Sequence, residues 1–141
     1  MAAVREAIGP NVDIIMENHS RPDAQSAVQL GRAVQKYNIF YFEEPNTPNP
    51  KTAKFISSKL SMPIAHGERV YSRWQYAPSL RTSPSRYPAG SGQLRRPDGG
   101  QEDLRYGYVY DISVQAHVCA SPLSTAGCTP SGGGHSQFRD P

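Results

Sequence analysis

The sequence predicts an α/β fold, specifically part of a (β/α)8 TIM-type barrel, on three observations. Strand-like and helix-like segments alternate through residues 1–80, which implies parallel strands joined by crossover helices. Each of three expected strands ends in a carboxylate: Glu17, Glu43 and Glu68, spaced 26 and 25 residues apart. The chain has 141 residues, whereas a complete barrel typically needs about 250. An open doubly wound sheet fits the alternation equally well. The acidic strand ends separate the two, because they place three carboxylates on the C-terminal face where barrel active sites lie.

The elements follow in order. Residues 2–8 read as a helix end, with Gly9-Pro10 as its stop signal. Asn11 to Glu17 is a short, mostly apolar run, as expected of a strand covered on both faces. Ser20 is the expected cap of the next helix, with Pro22 early and Asp23 three residues on. Ala24, Ala27, Val28, Gly31 and Val34 then share one helical face. Ile39 to Glu43 is the second strand, and Asn49-Pro50 opens a helix that carries Ala53, Phe55, Ile56 and Leu60. Pro63 to Glu68 is the third strand.

Three carboxylates converging without cations repel one another and hold protons more tightly. A hard divalent ion resolves that conflict: Mg²⁺ takes oxygen ligands in octahedral geometry and keeps positions for water or substrate. A single acid at a strand end is ordinarily a solvated loop residue. Three at one-repeat spacing favour a metal site.

Beyond residue 80 the composition changes. Residues 1–80 contain three glycines, Gly9, Gly31 and Gly67, and the other nine fall in the windows 81–107 and 127–141. Those windows are rich in Arg, Ser and Pro and have no lysine, while 108–126 between them reads as ordinary folded protein. Two readings fit: low-complexity loops, or coding DNA translated out of frame. The second is favoured, because codons compatible with 127–141, read one base out of register, can spell an amphipathic helix leading into a strand.

Other classes are disfavoured. The net charge of +3 is scattered rather than gathered into a stripe, which argues against nucleic-acid binding. Cys119 and Cys128 form neither a C-x-x-C pair nor a disulfide framework. The first nine residues lack a signal-peptide apolar run, and no stretch approaches the roughly 20 apolar residues of a membrane span. A cytoplasmic protein is expected.

Four motifs now become informative together: IIMENH at 14–19, FYFEEP at 40–45, PIAHGERVYSRW at 63–74 and VQAHVCASPLSTA at 114–126. They resemble the mandelate racemase and galactonate dehydratase branch of the enolase superfamily. EEP followed at the right distance by P-I-A-x-G-E-R is the specific part. The resemblance implies that Glu17, Glu43 and Glu68 are the Mg²⁺ ligands at the ends of the third, fourth and fifth barrel strands. Many relatives have Asp at the first position, where Glu17 is one methylene longer.

The resemblance also implies catalytic roles. His19, two residues after the first ligand, matches the general acid of the dehydratases, and His117, at the end of the seventh strand, matches the base. His117 would remove the proton α to a Mg²⁺-bound carboxylate, and His19 would assist loss of the β-hydroxyl, giving a 2-keto-3-deoxy sugar acid. The expected partner is therefore a small sugar acid, and the parent family implies a homo-oligomer. A racemase or epimerase of the same superfamily is the alternative activity, and a non-catalytic remnant is the alternative of a different kind. His66 and His135 receive no role.

Parts of the family pattern are not found in this sequence. The Asp that orients the base, in a Pro-Asp motif after the sixth strand, has only Pro97-Asp98 as an imitation, with no strand before it. The capping domain, the lysine-bearing second strand and the acid of the final strand have no counterpart. The expectation is a metal triad within an incomplete barrel whose own turnover is impaired.

Overall fold

The structure is a computed structural model and describes residues 1–70, 72–82, 117 and 122. The windows suspected of frameshift, the strand expected before His117, Pro97-Asp98 and His135 lie outside those residues, apart from positions 81 and 82. The elements run α1 (Ala2–Ile8), β1 (Ile14–Glu17), α2 (Ala24–Val34), β2 (Ile39–Glu43), α3 (Pro50–Lys59), β3 (Ile64–Ala65) and α4 (Arg73–Thr82). A 3-10 turn, Gln35–Tyr37, joins α2 to β2 through Asn38 in the left-handed conformation. The strands form one parallel sheet in the order β1-β2-β3, which is the βα repeat the sequence predicts.

Side-chain alternation separates the two faces of this sheet. Met16, Phe42 and Ile64 join Ala27 and Val28 of α2 and Ile56 of α3 in the main apolar cluster. Phe42 and Ile56 are completely buried, and burying such a side chain contributes about 1.5–3 kcal/mol. The opposite face carries Tyr41 and Ala65, packed together, with Glu17 and Glu43 one step farther along their strands. Register makes that placement firm, since Glu17 pairs with Glu43 and Glu43 with Ala65. A one-residue slip would turn every one of these side chains to the other face.

Local chemistry explains the element ends. Gly9 ends α1 at φ 74°, a conformation that glycine adopts without a Cβ penalty. Arg5 then ties α1 to the turn before β2: its guanidinium donates to the carbonyls of Gly9, Val12, Tyr37 and Asn38 at 2.6–3.0 Å. β1 begins at Ile14, opposite the first residue of β2, Ile39, and not at Asn11 as the apolar run suggests. Asn49 caps α3, its side chain accepting from the Lys51 N–H at 3.0 Å. Gly31 marks the close approach of α2 to Leu60, where a Cβ would lie 2.5 Å from Leu60 Cδ1.

Two expectations need correction. The cap of α2 is Asp23, whose carboxylate accepts from the N–H groups of Gln25 and Ser26 at 2.9 Å. Ser20 lies outside the helix at φ 58° and is committed elsewhere. The third strand is also shorter than expected: β3 ends at Ala65, and Glu68 stands three residues beyond it in a turn. Among the described residues no helix is long and apolar enough to cross a membrane.

Candidate metal centre

The C-terminal ends of the three strands carry the acidic groups. Glu43 leaves β2 on the face away from α2 and α3, and its carboxylate converges with that of Glu68 and with a His117 nitrogen, all within 4.8 Å of one another. His117 lies between the two acids, Nδ1 3.6 Å from Glu43 Oε1 and Nε2 3.3 Å from Glu68 Oε2. His19 approaches from the other side, with Nδ1 3.5 Å from Glu68 Oε1 and 4.0 Å from Glu17 Oε1. Both sequence-selected histidines thus meet at one carboxylate, that of the buried Glu68.

Glu17 is placed differently. It is the register partner of Glu43, but it is not among the three groups that converge within 4.8 Å. Its carboxylate accepts from the His19 backbone N–H, and its side chain is more exposed than those of Glu43 and Glu68. Glu17 is therefore the most loosely placed of the three acids.

The electrostatics follow from burial and like charge. Desolvation pushes the Glu43 carboxyl up from 4.5 to about 7, and the neighbouring Glu17, Glu68 and Glu44 charges add to the effect. Burial also raises Glu17, with the Glu68 charge adding and the His19 backbone N–H opposing. Crowded carboxylate oxygens of this kind suit a hard divalent cation such as Mg²⁺. Glu43 and Glu68 with Glu17 beside them fit that ion, and His117 stands against the first two.

Sequence reasoning gave no part in the site to Glu44, Ser20, Gly67, Arg69 or His66, which meet at this rim. Glu44 is completely buried at φ 42°. Its carboxylate accepts from Ser20 Oγ at 2.5 Å and from the Gly67 N–H at 2.6 Å. Arg69 donates from Nε to Ser20 Oγ at 3.1 Å and lies 3.4 Å from Glu68 Oε1. His66 is buried, with Nδ1 3.7 Å from Glu44 Oε1, beyond hydrogen-bond reach but within electrostatic range. Burial alone would raise Glu44. The His66 imidazole, the Ser20 hydroxyl and the Gly67 N–H overcome it and hold the carboxyl below its ordinary value. The doubled acid of E-E-P was the one available signal, and it does not say which acid faces which way.

D-galactonate dehydratase of Ralstonia nicotianae is 28% identical over 137 residues, 91% of this chain and 34% of the relative. A crystal structure of a member of the enolase superfamily from Salmonella Typhimurium is 37% identical, with a TM-score of 0.88 over 98% of this chain and 36% of that one. A mandelate racemase/muconate lactonizing enzyme-like protein from Rubrobacter xylanophilus is 26% identical, with a TM-score of 0.90 over 98% of this chain and 36% of that one. The chain spans about a third of the length of the Ralstonia dehydratase. Residues 1–85 match the family model described as enolase C-terminal domain-like, and the chain, with its parallel βα units and acidic strand ends, belongs to that family.

Proposed function

We propose that this chain carries the metal-binding rim of a Mg²⁺-dependent sugar-acid dehydratase, with Glu17, Glu43 and Glu68 as ligands, His117 as base and His19 as acid. The observation that carries this reading is the meeting of His19 and His117 at opposite oxygens of Glu68, 3.5 and 3.3 Å away. A dehydration needs a base and an acid at one centre, and this rim offers both. The dehydratase name of the Ralstonia relative supports the same class.

The chemistry that Mg²⁺ supplies when bound is charge stabilisation at the substrate carboxylate. The rest falls to the chain. A neutral His117 imidazole accepts the proton from the carbon α to that carboxylate. The C–H electron pair forms a carbon–carbon double bond as the β C–O bond breaks. Protonated His19 donates to the departing hydroxyl, which leaves as water. The resulting enol becomes the 2-keto-3-deoxy acid.

A panel of aldonic acids incubated with the chain and Mg²⁺ tests this reading, with a colorimetric readout for 2-keto-3-deoxy acid. Product is expected from at least one of them. His19→Asn is expected to lose product while still exchanging deuterium into the α position. Exchange without dehydration in the unsubstituted chain would instead indicate the racemase reading. Neither exchange nor product would sink turnover by this chain.

A further inference from the structure

Glu44 has no part in the proposed chemistry, yet it is a completely buried carboxylate in the middle of the rim. Its hydrogen bonds join three segments, and each adjoins one of the acids at the strand ends. Glu44 itself follows Glu43. Ser20, whose hydroxyl donates to Oε2, lies three residues after Glu17. Gly67, whose N–H donates to Oε1, immediately precedes Glu68.

Backbone pairing already fixes two of these segments. Asn18 N donates to Glu43 O at 3.1 Å, and Ser20 N to Glu44 O at 2.9 Å, which continues the β1–β2 ladder past Glu17. Among the described residues the third segment has no such interstrand support. The β2–β3 ladder contains two register pairs and stops at Ala65, and Glu44 N to Ala65 O at 2.9 Å is its last bond. Gly67 then turns at φ 139°. Among the described residues, what reaches the Gly67 N–H beyond the ladder is the Glu44 side chain.

Resting on the metal reading above, we infer that Glu44 is a positioning residue for that centre: its buried carboxylate holds the Gly67 N–H and thereby sets where Glu68 stands. The Ser20 hydroxyl, bridging Glu44 Oε2 and Arg69 Nε, closes the arrangement, and Arg69 in turn lies against Glu68. The left-handed φ of 42° at Glu44 turns two successive glutamates to different tasks, one toward the centre and one into the frame that supports it.

The test is Mn²⁺ affinity of the full 141-residue chain, measured by electron paramagnetic resonance, together with hydrogen exchange at the Gly67 amide. Glu44→Met keeps the bulk and removes both acceptors. It is expected to weaken Mn²⁺ binding about tenfold or more, the scale of outer partners at metal sites, and to speed Gly67 exchange. Glu44→Gln keeps an acceptor oxygen for Gly67 and is expected to stay within about threefold of the unsubstituted chain, on the same scale. Ser20→Ala gives a smaller loss and serves if Glu44→Met does not fold. Ile56→Val, a core change away from the rim, is the control and should leave Mn²⁺ affinity unchanged.

Unchanged affinity in Glu44→Met, or in Ser20→Ala where it is the usable variant, overturns the positioning role alone. So does an equal loss in Ile56→Val, which would make the effect one of general stability. Absence of Mn²⁺ binding by the unsubstituted chain overturns the metal reading and the positioning role with it.

Discussion

On the face of the sheet covered by α2 and α3, Met16, Phe42 and Ile64 are packed in apolar surroundings. One residue farther along the same strands, Glu17 and Glu43 emerge on the opposite face, where carboxylates crowd together and Glu43 is held at about 7. The first region is stabilised by removing apolar area from water, and it tolerates no charge. The second keeps charge at a cost to stability and holds it in place with donors from the backbone and from Ser20. Phe42 and Glu43 are neighbours in sequence. What divides them is a strand's alternation, and the lesson is that the stable face provides the rigidity on which the strained face depends.

The comparison can be broken most severely from the apolar side. Phe42→Ala should cost about 3–5 kcal/mol, because Phe42 is fully buried between β1, β3 and the helices. Urea denaturation reads that loss. A cost below about 1 kcal/mol would mean that the sheet–helix layer is not what holds the rim, since even the mildest core truncations reach about that value.

Glu43 sharpens the contrast from the other side. Its folded value of about 7 lies above its ordinary 4.5, so between those values the folded chain keeps a proton that the unfolded chain has lost. Without a divalent cation, the contribution of Glu43 to stability therefore falls as pH rises from 4.5 through about 7. Cation binding expels the proton, so thermal stabilisation by Mg²⁺ should be greater at pH 8 than at pH 5. Glu43→Gln should abolish that difference and cost Mn²⁺ affinity beyond the roughly 10–100-fold typical of outer partners. Equal Mg²⁺ stabilisation at both pH values would remove Glu43 from the centre.

The smallest expected effect lies at the start of α3. Asn49→Ala removes the cap of α3 and should cost about 1 kcal/mol by denaturant midpoint, with no change in Mn²⁺ affinity. A loss of metal binding in this variant would show that the rim responds to helix stability in general, and the contrast between the two faces would weaken.

Much of the architecture was legible from local pattern. The strand Ile39–Glu43 and the helix opened by Asn49-Pro50 stand where periodicity and capping put them, because both signals arise within a few residues. The buried face of α2, with Ala27, Val28, Gly31 and Val34, follows from helical spacing alone. The misreadings share a cause. Ser20 has the chemistry of a cap, but its hydroxyl is taken by Glu44, 24 residues away. Asp23 was recognised as part of the capping pattern but not as the cap itself. The PIAHGE run reads as a continuous strand, yet it leaves the ladder at Ala65 because the Gly67 N–H bonds to a side chain instead of a strand.

The sequence by itself determined the class of fold, the spacing of the acids and the side of the sheet on which they stand, since alternation and repeat length are properties of the chain's own geometry. Tertiary structure alone decided what each acid does. Glu43 and Glu44 are the same residue type in consecutive positions. Only the surroundings brought by folding, burial beside the acids Glu17 and Glu68 for one, His66, Ser20 and Gly67 for the other, raise the first and hold down the second. A carboxylate's charge is a response to its surroundings, and those surroundings come from segments some twenty or more residues away.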